Sequence, residues 1–261
     1  MSKDIYIHGT DPSEQERLAG LNRMTNAAFI SFLGVPAGAR VLEVGSGLGL
    51  LAADVANAVA DVQVVGVEIS AAQIAAAPAH QRVTYVQGDA HTLDFPSASF
   101  DVVYARYLLE HVADPQRVAR EMRRVAKPGG RVAVCENDVS LIRFDPPCPA
   151  FDRAWQIFTA FQATLGGDGL IGRRLFRLLK DAGFKDVELS VQPEVHWYGS
   201  PGYVAWVHNI IGNLESARNG MLAAGVISPE DLNAGVAELE ALKTNTSGSA
   251  VFVWNRAMAR R

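Results

Sequence analysis

What this 261-residue chain lacks narrows it first. It has only two cysteines, Cys135 and Cys148, too few for a disulfide framework and without the Cys-x-x-Cys or His spacing of a zinc site. No stretch reaches the roughly 18 uninterrupted apolar residues of a membrane-crossing helix. The most apolar region, Leu48 to Val67, is broken by Asp54, Asn57, Asp61 and Gln63. Basic charge is not in excess either. The 24 Lys and Arg face 28 Asp and Glu, a formal net charge of -4, so no overall positive field draws the chain onto nucleic acid. With 23 Gly and 12 Pro, collagen and low-complexity chains are excluded. The opening MSKDIYIHGTDPSEQERL has no apolar stretch between a basic start and a small-residue cleavage site. No secretory leader is therefore expected, and the cytoplasm is the expected compartment. What is left, 49% hydrophobic and 20% charged, is ordinary for a globular protein and allows one large α/β domain or two small ones.

The pattern along the chain is more selective. Ser13-x-x-Glu16 is a capping box, and a helix is expected from about Glu14 to Leu33. Strand and helix then alternate. ARVLEV, VQVVGVE, RVTYVQ, FDVVYA and GRVAVCE read as five apolar strands, with helices over Leu48–Ala60, from Ser70 through Ala77, and from Asp114-Pro115 to Lys127. Near-continuous apolar strands separated by helices imply a parallel sheet covered on both faces. After Glu136 the texture changes. Asn137 to Pro149 reads as loop, Phe151 to Leu165 as an aromatic-bearing helix and Ile171 to Gly183 as an amphipathic one. DVELSV reads as a sixth strand, Ser200 to Lys243 as helical pieces, and AVFVWNRAM as a seventh strand.

The chemistry is expected in the loop VLEVGSGLG. Gly45, Gly47 and Gly49 follow a strand and open a helix, where glycine lets the backbone turn tightly and approach a ligand. Leu50 stands where a nicotinamide fingerprint requires Gly or Ala, so that cofactor is not indicated. Glu43 lies two positions before the first glycine. Glu68, 19 residues after Gly49, closes the second strand, where a carboxylate can accept both hydroxyls of a ribose. Gly88-Asp89-Ala90 follows the third strand, where an Asp can accept a hydrogen bond from an adenine amino group.

Together these segments resemble the class I S-adenosylmethionine-dependent methyltransferases. EVGSGLG corresponds to the first motif, Glu68 to the second-strand acid, GDA to the adenine turn, FDVVYARYLLEHVADP to the fourth-strand segment and RVAKPGGRVAV to the fifth. Within that class YIHG…EQERL and IGRRLFRLLKDAGF look like the small-molecule enzymes related to quinone biosynthesis. The resemblance implies a Rossmann-like α/β fold, a seven-stranded and mostly parallel sheet in the order 3-2-1-4-5-7-6 with strand 7 antiparallel. It implies one domain: a lid and helix over 1–33, a cofactor core over 36–137, cap insertions over 138–172 and 193–245, and the final strand over 246–261.

It also implies roles. Gly45, Ser46 and Gly47 would pass the methionine part of S-adenosylmethionine, and Glu43 would bond the loop or the cofactor amine. Glu68 would hold the ribose and Ile69 would pack on adenine. Gly88, Asp89 and Ala90 would contact adenine, and Arg106 would lie beside the amino-acid part or the methyl group. S-adenosylhomocysteine would be the product. Metal is not expected, because Arg106 stands where a metal-dependent relative needs an Asp, and a cation repels Mg²⁺. His111 is expected to brace a turn.

The acceptor is expected to be a small, apolar or aromatic molecule lined by Trp155, Phe158, Trp197, Tyr198, Tyr203 and Trp206, against the plainer reading that these rings only cover the sheet. If it is a hydroxyl, His196, His8 or Tyr6 are the candidate catalytic groups. Arg17 and Arg23 either meet the cofactor carboxylate or are solvated. The competing function is a cyclisation or rearrangement on the same cofactor-bound fold. A nucleic-acid acceptor is disfavoured by the acidic balance. Monomer and homodimer both remain open.

Overall fold

The computed structural model describes residues 12–261, with side chains from Glu16 onward. The capping box at Ser13, together with Tyr6 and His8, therefore lies outside what is described. In chain order the elements are α1 (Pro12–Leu33), β1 (Arg40–Val44), α2 (Leu50–Ala58), β2 (Gln63–Glu68), α3 (Ala71–Ala76), β3 (Val83–Gln87), β4 (Phe100–Arg106), α4 (Pro115–Val125) and β5 (Ala126–Glu136). Then follow β6 (Arg143–Asp145), α5 (Pro149–Thr164), α6 (Leu175–Asp181), β7 (Lys185–Trp197), α7 (Tyr203–Ala223), α8 (Pro229–Leu242) and β8 (Ser249–Arg260). None of the described helices is long and apolar enough to cross a membrane.

The strand order is β3-β2-β1-β4-β5-β8-β6, and β7 also pairs β8. β1, β2, β3, β4 and β5 run parallel, and β8 is antiparallel to β5. With β7 and β8 as the sixth and seventh strands this is the Rossmann-like sheet that the resemblance implied. The count differs by one. The eighth strand, β6, lies in the stretch expected to be loop. Three residues carry no readable alternation, and only their antiparallel pairing with Ser249–Val251 makes them a strand. The fifth strand also begins earlier than GRVAVCE. Helix α4 ends at Val125, and Ala126 pairs with Phe100 ahead of a register shift. Pairing to β4 resumes only at Arg131 with Val102, so Lys127 to Gly130, where the helix was expected to stop, lie in the register shift. β7 is longer than DVELSV and runs through Pro193 to Trp197.

The described chain divides into two compact units. The first, residues 25–137, 171–192 and 255–261, holds the parallel part of the sheet. Val41, Leu42, Val44, Val103, Ala105, Val132 and Val134 are buried in its strands, with Val118, Met122 and Val125 of α4 and Leu175 and Leu179 of α6 against them. Full burial of each large aliphatic or aromatic side chain stabilises by about 1.5–3 kcal/mol. Asp114 starts α4 by accepting the Arg117 N–H at 2.9 Å, with Pro115 at the first helical position.

The second unit, residues 138–170 and 193–254 with the described part of 1–24, is mainly helical. Helices α5, α7 and α8 pack on one another. Cys148, at the start of α5, offers no side-chain cap. The Glu238 carboxylate of α8 accepts the Ala150 and Phe151 N–H groups at 2.8 and 2.9 Å instead. Both cysteines are buried and free.

Candidate functional site

The parallel pairing of β1 with β2 sets Val44 beside Val67, so the chain leaving β1 turns directly above the end of β2. The Gly45 and Ser46 N–H groups both donate to the Val67 carbonyl, at 2.8 and 2.9 Å. Gly45 and Gly49 are left-handed, with φ of 75° and 70°. Space is equally restrictive. A Cβ on Gly45 would lie 2.7 Å from Leu108 Cδ1, and one on Gly49 would lie 2.4 Å from the Tyr85 ring. The Tyr85 hydroxyl donates to the Gly49 carbonyl at 2.9 Å. The loop is thus clasped by β3 on one side and by the turn after β4 on the other. Gly49 at the N-cap of α2 has no side chain to cap the helix, while Glu43 takes the Ala52 N–H of its first turn, and a helix start of this kind is suited to an anionic ligand group.

Glu68 is buried at the end of β2. One carboxylate oxygen accepts the Gly47 N–H at 2.9 Å and the other the Ser70 N–H at 3.0 Å. Each oxygen keeps a lone pair, enough to accept a ligand hydroxyl. Next to it, the Ile69 side chain is half exposed, an apolar surface beside a polar one. Asp89 accepts the His91 N–H at 2.8 Å and lies 2.7 Å from His91 Nδ1. Desolvation would raise its pKa, but these bonds with His91 hold it below the ordinary carboxylate value, so it is ionised at neutral pH.

Glu43 is the unusual group. It is buried, and its Oε2 has no hydrogen-bond partner among the described residues. Burial pushes its pKa from 4.5 up to about 8, and the Arg106 charge only partly offsets this. Arg106 is held elsewhere: its guanidinium donates to Thr25 Oγ1 at 3.2 Å and Asn26 Oδ1 at 2.6 Å, and lies over the Phe29 and Tyr107 rings. Asn26 in turn donates to Asp54 at 2.6 Å. The Ser46 hydroxyl is a second buried polar atom without a described partner.

Comparison with known proteins follows this geometry. Residues 42–134 match the methyltransferase domain family. The O-methyltransferase resE of Aspergillus sclerotiorum is 31% identical over 188 residues, 69% of this chain and 67% of that protein. The chain belongs to the S-adenosylmethionine-dependent methyltransferases of class I. Within that family it is related to the ubiquinone and menaquinone methyltransferases.

The chain spans about half the length of several other curated relatives. The 27-O-demethylrifamycin SV methyltransferase of Amycolatopsis mediterranei, for example, is 36% identical over 134 residues, 49% of each chain. A Bacillus halodurans structure described as a methyltransferase superposes with a TM-score of 0.59 at 20% identity, over 90% of this chain and 97% of that one, and shares the fold.

The methyltransferase cofactor has an adenine, a ribose with two hydroxyls, and an amino acid bearing an ammonium and a carboxylate. The residues present fit it: a helix start without an N-cap side chain, a carboxylate with spare acceptor capacity at the end of β2, and a buried acid near the end of β1 whose Oε2 has no described partner. Gly45, Ser46, Gly47, Glu43, Glu68, Ile69, Gly88, Asp89, Ala90 and Arg106 all fall in the first unit. Among the described residues no group of three or more His, Cys, Asp or Glu could hold a metal ion. Asn137 instead donates to Glu110, and Asp138 caps the turn at Ser140.

The acceptor candidates lie in the second unit. Trp155 stacks on Phe158 at 5.0 Å and donates from Nε1 to the Val139 carbonyl at 2.8 Å. Tyr203 is buried and donates to the Leu242 carbonyl at 3.0 Å. Trp206 is buried against Trp254 and Phe252. Trp197 and Tyr198 are exposed. His196 stacks on Trp206 at 5.3 Å, with Nε2 3.4 Å from Glu194 Oε2, while Glu194 accepts the Trp254 Nε1–H at 3.1 Å. Arg17 donates to Asn209 at 2.7 Å. His111 Nε2 lies 3.7 Å from Glu110.

Sequence reading passed over Thr25, Asn26 and Tyr104, which surround Arg106 and Glu43, and over Glu110 and Glu136. For Glu136 a signal existed, a single acid closing the apolar run RVAVC.

Proposed function

We propose that the protein transfers a methyl group from S-adenosylmethionine to a small apolar or aromatic acceptor, with a hydroxyl as the first acceptor chemistry to test. One observation carries the cofactor assignment. Adjacent parallel strands set two partly committed buried carboxyls beside the glycine loop, Glu43 with its Oε2 unpartnered and Glu68 with spare lone pairs. Glu68 would take the ribose hydroxyls, Ile69 would cover one face of adenine, and Asp89 would accept from its amino group. Glu43 would meet the amino-acid ammonium, and the first amides of α2 its carboxylate. Arg106, fixed by Thr25 and Asn26, would border the same end.

When bound, the cofactor supplies an electrophilic methyl carbon on a sulfonium. What the chain must then provide is alignment of the nucleophile and exclusion of water, which can account for much of the rate gain. For a hydroxyl acceptor we assign proton removal to His196, whose Nε2 has no hydrogen-bond partner among the described residues and lies 3.4 Å from Glu194 Oε2. Trp155, Phe158, Trp197, Tyr198, Tyr203 and Trp206 are proposed to select the acceptor, and relatives named as O-methyltransferases support the hydroxyl.

The test is calorimetric titration with S-adenosylhomocysteine, followed by incubation with S-adenosylmethionine and a panel of phenols and small polyketide-like alcohols under mass spectrometry. A product heavier by one methyl group is expected. No binding would refute the cofactor reading, and an acceptor consumed without gain of mass would support a rearrangement instead. In His196→Ala the rate of methyl transfer should fall at every pH measured; a wild-type rate and profile would exclude this base.

A further inference from the structure

The turn after β4 is fastened to the end of β5 by three successive amides. Tyr107 has a left-handed φ of 54°, uncommon for a residue with a bulky side chain, and its N–H donates to the Cys135 carbonyl at 2.9 Å. The next two N–H groups, of Leu108 and Leu109, converge on one oxygen, Glu136 Oε1, at 3.1 and 2.9 Å. Glu136 is fully buried, and Oε2 has no described partner. A carboxyl in that position is conspicuous, because an apolar residue would continue the run RVAVC without a desolvation cost. Something must be gained from the acceptor oxygen.

What the turn carries is Leu108. Its side chain packs on the buried core and its Cδ1 occupies the space in which a Cβ of Gly45 would sit, 2.7 Å away. Leu108 is thus the wall against which the first glycine of the cofactor loop rests. Its own N–H is one of the two that Glu136 Oε1 accepts.

We infer that Glu136 is a positioning residue for cofactor binding: by holding the Leu108 and Leu109 amides it sets the Leu108 wall, and through it the path of the loop at Gly45. The role requires an acceptor oxygen, not a charge. In support, burial and then the neighbouring Glu110 carboxyl push its pKa upward, toward the neutral acid, whose Oε1 still serves as a carbonyl acceptor. Neither Glu136 nor Leu108 need touch the ligand for this.

The inference rests on the cofactor reading of the glycine loop, so the experiment separates the two. Affinity for S-adenosylhomocysteine is measured by calorimetry for wild type, Glu136→Gln, Glu136→Ala and Leu108→Ala, with circular dichroism as a check on folding. Glu136→Gln keeps the acceptor oxygen and should bind within about threefold of wild type. Glu136→Ala frees both amides and should bind at least about tenfold more weakly. Leu108→Ala leaves Glu136 and its bonds in place, removes the wall, and should show a similar loss even if Glu136→Ala does not fold. In turnover the loss should fall on KM for S-adenosylmethionine more than on kcat. If wild type fails to bind, the cofactor reading is wrong. If wild type binds and folded Glu136→Ala or Leu108→Ala binds equally well, or Glu136→Gln is as weak as Glu136→Ala, the positioning role is overturned.

Discussion

A carboxyl that the fold keeps protonated is a pH-dependent cost, and Glu43 shows its sign. In the unfolded chain it ionises near 4.5, but in the fold, through burial, only near 8. Between those values the native state holds the extra proton, so stability falls as pH rises from about 4.5 to about 8 and is level outside that window. Denaturant unfolding across that range should show the slope, and Glu43→Gln should reduce it, Glu136 contributing the remainder. A variant with an unchanged slope would show that Glu43 is not the group concerned. Ligand binding offers a sharper reading. If the cofactor ammonium meets Glu43, titration with S-adenosylhomocysteine at pH 7 should release a proton, visible as a heat that varies with buffer ionisation enthalpy and disappears in Glu43→Gln. For Glu68→Ala, loss of hydrogen bonds to a charged group, worth about 1.5–3 kcal/mol, should weaken cofactor binding roughly 10- to 150-fold. Calorimetry showing unchanged affinity would remove Glu68 from the ribose.

At the scale of elements, both units use groups distant in sequence to finish what local sequence leaves open. Helix α5 begins with Pro149 and an uncapped Cys148, and the missing acceptor comes from α8, where Glu238 takes two of its first N–H groups. Glu238→Ala should lower stability by about 1–2 kcal/mol in chemical denaturation, as removal of a helix cap does, while leaving cofactor affinity intact. A loss of affinity without a loss of stability would contradict this. The same logic explains what could be read in advance. Helix α4 carries its own Asp114-Pro115 start and was legible; its end was not, because pairing of Ala126 with Phe100 competes with another helical turn. β6 was invisible for the opposite reason: nothing in Arg143–Asp145 favours a strand until Ser249–Val251 lies alongside.

For the whole molecule, ligand binding and folding are linked. S-adenosylhomocysteine at 100 times its Kd should stabilise the folded chain by about 2.7 kcal/mol. At this size that corresponds to a rise in the unfolding midpoint of roughly 5–10 °C. At the same concentration Glu68→Ala should retain only about 0.3–1.4 kcal/mol of that gain. Thermal scans with and without ligand check both, and an equal shift in the two proteins would count against the site.

The sequence by itself determined the parallel Rossmann-like sheet, its cofactor loop and the family, because these rest on local signals: β-branched runs, glycines at the left-handed positions of the loop, and acids at fixed distances from that loop. It also placed aromatic rings in the later segments without saying what they touch. Tertiary structure alone decided that Trp155, Tyr203 and Trp206 are buried while Trp197 and Tyr198 are exposed. It alone placed Arg106 on Thr25 and Asn26, and left Glu43 and Glu136 each with an oxygen that no described residue meets. The physical reason is that burial and hydrogen-bond satisfaction are properties of the surroundings. A carboxyl reads the same in sequence whether it faces water or lies beneath a sheet.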